Sequence, residues 1–303
     1  MKRMCLFFTT GMVIGSSALL YAGTGPGSHV ENNATNSTMI SSFPASPAPA
    51  TLFTFANGLK IAAVATTAPQ TITMRRSAES SIGMEFLQVP GGCFKMGSNA
   101  DDVDEQPVHN VCLDFFFVGK YEVTQGQWQQ IMGSNPSFFS SCGSNCPVDN
   151  VSWNDVQEFI RKLNQRNKAN YRLLTEAEWE YTCRSGGKSE RFCGNADISQ
   201  TAWYDKNSSS NPHPSGEKRP NGLGVYDMSG NVWEWVSDWY DKDYYGSVPG
   251  SRNPVGPPAG ATRVIRGGSW YNDSKNVRAS MRSSDDPDHR SINVGFRLAY
   301  PAH

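Results

Sequence analysis

The sequence lacks an excess of charge of either sign. Its 303 residues carry 27 Lys plus Arg and 28 Asp plus Glu, which gives a net charge of -1. There is no basic field that would hold nucleic acid or an anionic membrane surface. The composition, with 38% hydrophobic and 18% charged residues, is instead that of a chain able to form a core. We therefore expect no nucleic-acid partner.

Long apolar runs are also scarce. One run follows Lys2 and Arg3, covers residues 4–18 and is followed by the small-residue segment 20–22. A positive start, an apolar run and a small-residue cleavage site are typical of a secretory signal peptide, here residues 1–22, with an uncleaved anchor as the alternative. No later run approaches the roughly 20 residues of a membrane helix, so we expect no transmembrane segment after cleavage. The predicted location is the periplasm or the extracellular space, with association to the envelope possible.

Charged residues are nearly missing from residues 23–74, where only Glu31 and Lys60 occur. Asn, Thr, Ser, Pro and Ala dominate this stretch, which buries too little apolar surface to offset the entropy of ordering it. We interpret residues 23–80 as a low-complexity linker with a short strand near 59–64. The folded domain is expected at residues 81–303.

Cysteine is absent after Cys193. Without Cys5, which lies in the signal segment, six of the seven cysteines remain. An even number in an oxidising compartment favours disulfides over metal thiolates. Many pairings are possible, and we expect the sequence-local set: Cys93 with Cys112, Cys142 with Cys146, and Cys183 with Cys193.

Familiar catalytic and metal motifs are missing as well. The segment 222–224 lacks the third glycine of a dinucleotide-binding turn. The five histidines are scattered, and none has a histidine partner three or four residues on, which argues against a zinc or iron site. The acidic segment 101–105 lacks the alternating oxygen ligands of an EF-hand loop, so we interpret it as a solvated loop.

Three helices can be predicted from their N-caps, which are Thr124, Ser152 and Thr175. After Ser152, apolar residues at positions 156, 159, 160 and 163 form the stripe of a helix that packs on one face. Segments 115–118 and 263–266 are the strand candidates. Elsewhere Gly, Pro, Asn and Asp are frequent. The prediction is an α+β fold with little regular structure and long ordered loops, stapled by disulfides or cations.

The segment 227–235 carries two carboxylates, Asp227 and Glu234, on either side of a glycine turn. Carboxylate and carbonyl oxygens arranged in this way are the ligands that Ca²⁺ accepts. A turn with an aspartate cap and a surface glutamate explains the same pattern equally well.

Four segments then form a recognisable series. They are residues 172–180 (RLLTEAEWE), 221–235 (NGLGVYDMSGNVWEW), 266–270 (RGGSW) and 293–297 (NVGFR). In content and order they resemble the motifs of the formylglycine-generating enzyme, or sulfatase-modifying factor, family. Segments 89–97 and 122–124 resemble its N-terminal edge, so the resemblance covers about residues 83–300. Leu174 stands where the family usually has proline.

The resemblance implies a variant of the C-type lectin fold that carries one or two calcium ions. The first ion would be held by the side chains of Asp227 and Glu234 and the carbonyls of Gly230 and Val232. The second would be held by Asn195, the carbonyl of Ala196, and Asn207.

The family's catalytic centre is not present in this sequence. Its oxidases convert a client cysteine to formylglycine with O₂ and a copper ion held by two cysteines five residues apart. Counting from the flanking motifs places either Ser274 and Ala279 or Val277 and Arg282 at those positions. Soft thiolates select Cu(I), and these side chains cannot replace them, so we expect no copper and assign no catalytic residue.

We therefore expect an exported, calcium-stabilised module that binds or assembles with a protein, peptide or glycan of the envelope. The alternative is an oxidase of the formylglycine-generating type that uses a non-standard site.

Overall fold

The structure, a computed structural model, describes residues 51–54, 60–63, 71–72, 82–194, 197–248 and 250–301. The chain divides into two units, residues 1–64 and 65–303. The predicted signal peptide and most of the predicted linker lie outside the described residues. Within the described ranges, no helix has both the length and the apolar character needed to cross a membrane.

The first unit contains a pair of antiparallel strands. β1 (Thr51–Thr54) pairs with β2 (Lys60–Ala63) so that Thr51 lies opposite Ala63. The strand expected near residues 59–64 corresponds to β2. The sequence analysis did not predict β1, which lies in a stretch of linker composition, although its threonine, leucine and phenylalanine residues include good strand formers.

The helices and strands of the second unit alternate with long loops. Its strands are β3 (Thr71–Ile72), β4 (Phe86–Val89), β5 (Gly92–Met96), β6 (His109–Leu113), β7 (Phe116–Gly119), β8 (Arg172–Leu173), β9 (Ala202–Trp203), β10 (Ser229–Gly230), β11 (Trp233–Trp239), β12 (Ser251–Arg252), β13 (Arg263–Arg266), β14 (Arg282–Asp285), β15 (Val294–Phe296) and β16 (Leu298–Pro301). Its helices are α1 (Gln125–Met132), α2 (Trp153–Asn167), α3 (Glu176–Cys183), α4 (Ile198–Thr201) and α5 (Tyr244–Ser247). The α+β class with long ordered loops is confirmed.

The helices α1, α2 and α3 begin where their caps predict. Thr124, Ser152 and Thr175 each accept a hydrogen bond from the backbone N–H three residues on, and that residue's side chain bonds back to the cap. These reciprocal bonds satisfy N–H groups that the first turn of a helix leaves unpaired. The apolar stripe of α2 is buried as expected.

Three sheets organise the second unit, in the orders β14-β13-β11-β15, β3-β4-β7-β16-β8 and β12-β6-β5. The strand candidates at 115–118 and 263–266 correspond to β7 and β13. The sequence analysis did not predict β11, which pairs antiparallel with β13 and parallel with β15. It was missed because β11 buries Glu234 and Asp238, so its sequence shows no alternation of apolar and polar residues.

Aromatic residues fill the core. Trp179 is completely buried in one apolar cluster, and Trp128 stacks on Phe159 in another with ring centroids 5.1 Å apart. Disulfides join Cys93 to Cys112, Cys142 to Cys146 and Cys183 to Cys193, which is the sequence-local set. The first of these bridges connects directly opposed residues of β5 and β6.

Candidate functional site

The loop that joins β10 to β11 is held in an uncommon backbone conformation. Asp227 and Asn231 have φ angles of 57° and 61°, and Gly230 has a φ angle of 82°. A Cβ atom on Gly230 would lie 2.1 Å from the carbonyl oxygen of Trp203, so only glycine fits there. The N–H groups of Gly230 and Asn231 donate to the carbonyls of Gly267 and Trp203, both at 2.9 Å. The loop is therefore fixed on both sides by main-chain hydrogen bonds.

Glu234 lies at the second position of β11 and is only 1% exposed. Its Oε1 accepts from Nε and Nη2 of Arg297, at 2.9 and 2.6 Å. Its Oε2 accepts from Arg297 Nε and from Trp179 Nε1, both at 2.8 Å. Arg297 directly follows β15 and is completely buried. The two side chains form a closed ion pair inside the domain.

Asp227 is 3% exposed and has no cation bonded to it. Its Oδ2 accepts from the N–H of Gly216 at 2.7 Å. Its Oδ1 is buried and finds no hydrogen-bond partner among the described residues. Burial raises the pKa of Asp227 to about 6. A buried carboxylate oxygen without a partner is costly in a folded protein, which marks this position as one that needs a ligand or a proton.

A third buried carboxylate, Glu122, reaches the same loop from the connection between β7 and α1. It is 1% exposed. Its Oε2 accepts from Asn231 Nδ2 at 2.7 Å and from Ser215 Oγ at 3.2 Å, and its Oε1 accepts from the N–H of Val232 at 3.2 Å. Burial, followed by the charges of Asp227 and Glu234, raises the pKa of Glu122 well above its usual range. Sequence reasoning noted the segment 122–124 only as part of a family motif and did not place Glu122 at the site.

These residues fit a hard cation only in part. The orphaned Asp227 Oδ1 and the carbonyls of the loop are suitable oxygen donors for Ca²⁺. In the part of the chain that the structure describes, no group of three or more His, Cys, Asp and Glu side chains is arranged to hold a metal ion. Any calcium here would therefore depend on main-chain carbonyls as well as on carboxylates.

The other predicted metal ligands are not brought together with this loop. Asn195 and Ala196 lie outside the described residues. The Oδ1 atom of Asn207 accepts from the N–H of Tyr204 at 2.9 Å, and its Nδ2 donates to the carbonyl of Ala202 at 2.9 Å. The side chain of Asn207 thus stabilises the turn that follows β9.

The positions where the family keeps its copper ligands are occupied by structural side chains. Ser274 lies in the turn closed by the bond from Asn276 N–H to the carbonyl of Asp273, at 3.1 Å. Ala279 is buried, and its N–H donates to the carbonyl of Arg191 at 2.8 Å.

The second way of counting gives the same result. Val277 is completely buried. Arg282 is bound to Glu176 through Nε at 2.7 Å and Nη2 at 2.9 Å. All four positions are part of the core or of its hydrogen-bond network.

Residues 73–302 match the family described as the sulfatase-modifying factor enzyme 1-like domain. The chain belongs to this family. The resemblance inferred from the sequence motifs is confirmed, and the fold is of the C-type lectin-like kind that the family adopts.

Three similar proteins place the chain within the sulfatase-modifying factor family. A chaperone protein, LppX, from Paenibacillus barcinonensis is 30% identical over 274 residues, which is 73% of this chain and 91% of the relative. The formylglycine-generating enzyme of Streptomyces coelicolor is 39% identical over 175 residues, 52% of this chain and 54% of that enzyme. The solved structure of Treponema denticola variable protein 1 superimposes with a TM-score of 0.70 at 28% identity, and the match covers 78% of this chain and 100% of that one.

Proposed function

We propose that this chain is a sulfatase-modifying factor domain without copper-dependent formylglycine formation, and that it acts in the cell envelope as a calcium-stabilised module that binds or assembles with a protein or glycan. The observation that carries the proposal is the state of its cysteines. All six from Cys93 to Cys193 are joined in disulfides, and the sequence has none after them. No thiolate pair is left in the mature domain to hold Cu(I).

The buried surroundings of the former copper positions support the same proposal. The side chain of Arg278, next to Ala279, donates to both oxygens of Glu105 at 2.9 and 2.7 Å. Exchanging Ala279 for a metal ligand would require this ion pair to move. One relative that is matched over most of its length is named a chaperone protein, which agrees with a role in binding rather than oxidation.

Export is supported by two independent features. The first is the positive, apolar and small-residue pattern of residues 1–22. The second is the set of disulfides, which form and persist in oxidising compartments. Calcium is supported by the unpartnered oxygen of Asp227 beside two further buried carboxylates.

The test is a formylglycine assay. The purified protein, with its disulfides intact, is incubated with Cu(I), O₂ and a Cys-x-Pro-x-Arg peptide, and the peptide mass is followed. The enzyme from Streptomyces coelicolor is run in parallel as the active control. We expect the peptide to be unchanged by this chain and converted by the control.

Loss of the peptide sulfur with formation of formylglycine would overturn the proposal in favour of an oxidase with a non-standard site. The double variant Ser274→Cys, Ala279→Cys restores the family's ligand spacing and is assayed beside the wild type. Copper bound by the double variant but not by the wild type would show that the missing thiolates are what prevents copper binding.

A further inference from the structure

The buried carboxylates near the β10–β11 loop outnumber the cations that meet them. Glu122, Asp227 and Glu234 are each at most 3% exposed. Arg297 is the guanidinium that pairs with this group in the described part of the chain, and its ion pair is with Glu234 alone. When all four side chains are ionised, two negative charges remain unbalanced. Buried charges without partners are strongly unfavourable, and one divalent cation would neutralise this pair.

The residues at the rim do not supply the missing charge. Lys218 donates to the carbonyl of Ser199 at 2.7 Å and lies 3.8 Å above the ring of Trp203. The neighbouring Glu217 is exposed and carries the opposite charge, and it acts unfavourably on the charge of Asp227. The rim contributes no net charge to the carboxylates beneath it.

Glu234 has no free oxygen lone pair for a cation. Each of its carboxylate oxygens accepts two hydrogen bonds, three in total from Arg297 and one from the Trp179 indole. A carboxylate oxygen offers two lone-pair positions, so both oxygens are saturated. Freeing one of them would expose the completely buried Arg297 to the loss of its partner.

Glu122 is placed differently. Its Oε1 accepts one hydrogen bond, a long one of 3.2 Å from the N–H of Val232, and it therefore keeps a lone pair. Asn231 and Ser215 fix its other oxygen against the loop. The carboxylate of Glu122 is thus held against the loop residues whose carbonyls are suitable calcium ligands.

We infer that Glu122, and not Glu234, is the second carboxylate of the calcium site, together with Asp227 Oδ1 and main-chain carbonyls of the loop. Glu234 is instead the counter-ion that allows Arg297 to be buried. This assignment rests on the proposed calcium binding. It explains why Asp227 and Glu122 are buried without a cation while Glu234 is fully bonded.

The experiment measures calcium binding by the full-length protein after treatment with a chelator. Calcium chloride is titrated by calorimetry, and the melting temperature is recorded in calcium and in EDTA. The variants are Glu122→Gln, Asp227→Asn and Glu234→Gln, with the exposed Glu217→Gln as the matched control. A ligand that binds only the folded state raises its melting temperature, so the two measurements report the same site.

We expect Glu122→Gln and Asp227→Asn to weaken calcium binding by about tenfold or more, since even residues that only orient metal ligands cost that much when removed. Both variants should lose the rise in melting temperature with calcium. Glu234→Gln should melt earlier in calcium and in EDTA alike and should bind calcium as the wild type does. Glu217→Gln should match the wild type in both measurements.

Wild-type affinity in Glu122→Gln, or loss of calcium binding in a folded Glu234→Gln, would overturn the assignment. If Glu122→Gln does not fold, Glu122→Asp is used: it keeps the charge but shortens the side chain, and unchanged calcium affinity in that variant would count against the assignment. A wild type that binds no calcium would overturn this inference and the calcium part of the proposed function together. The formylglycine assay would still stand, because it does not depend on this site.

Discussion

At the scale of single residues, β11 contains two buried acids with different surroundings. Glu234 is paired with Arg297, whereas Asp238, four residues later, has no arginine or lysine bonded to it in the described structure. Asp238 Oδ2 accepts from the N–H of Glu176 at 3.0 Å and from Ser237 Oγ at 2.8 Å. Burial, followed by the charge of Glu176, raises the pKa of Asp238 to about 7. Asp238 therefore ionises at a cost to the folded state.

The sign of the resulting pH dependence can be stated. The folded state keeps the proton of Asp238 up to about pH 7, whereas an unfolded aspartate loses it near its ordinary pKa of 3.8. The contribution of Asp238 to the free energy of unfolding is therefore greatest at or below pH 4 and falls as the pH rises toward 7. Asp238→Asn should match the wild type near pH 5 and exceed its stability at pH 8, by up to about 4 kcal/mol.

Thermal or urea unfolding of both proteins from pH 5 to pH 8 checks this prediction. The exposed Asp286→Asn serves as the control and should not change the pH dependence. A stability difference between Asp238→Asn and the wild type that stays constant over this range would show that the carboxyl does not titrate as described.

At the scale of secondary structure elements, α3 is buried along its whole length. Glu180 on α3 is completely buried and ties three parts of the fold together. Its Oε1 accepts from the N–H of Gly97 and from Arg184 Nε, both at 2.9 Å, and its Oε2 accepts from Arg266 Nη2 at 2.7 Å. The helix is thereby connected to the loop after β5 and to the end of β13.

Glu180→Gln should lower the free energy of unfolding by about 3–5 kcal/mol, because it leaves Arg266 and Arg184 short of a buried counter-charge. The matched control is Glu158→Gln on the exposed face of α2, where Glu158 pairs with Arg161 in solvent. That change should leave the urea midpoint close to the wild-type value. Equal effects of the two substitutions would contradict the argument from burial.

The elements differ in how far the sequence predicts them. The starts of α1, α2 and α3 were predictable because capping is local: each cap and its partner are three residues apart. The strand β11 was not, because its buried acids break the expected pattern and their partners are distant. Arg297, for example, lies 63 residues after Glu234.

The candidate site shows the same limit at the scale of the whole molecule. The turn at residues 227–234 could be predicted from its own composition. The contact between Glu122 and Asn231 could not, because it spans 109 residues and depends on how the β7–α1 connection meets the loop. The class of fold could be predicted from the family motifs, while the pairing of charges inside the domain required the structure.

The disulfides act on the stability of the whole domain through the loops that they close. Cys93 and Cys112 are 19 residues apart, whereas Cys142 and Cys146 are only 4 apart. In the chain-entropy view, a longer closed loop removes more freedom from the unfolded chain, so these bridges are worth about 3 and about 2 kcal/mol. The double variant Cys93→Ala, Cys112→Ala should therefore be less stable than Cys142→Ala, Cys146→Ala.

Urea unfolding of the two double variants and the wild type, each purified under oxidising conditions, measures this difference directly. Mass mapping of unreduced peptides first establishes that the remaining two bridges are intact in each variant. The more distant pair should lose about 1 kcal/mol more than the near pair if the unfolded chain determines the effect. The reverse order would show that contacts around Cys142 and Cys146 in the folded state outweigh loop entropy, since Cys146 is completely buried and Cys93 is exposed.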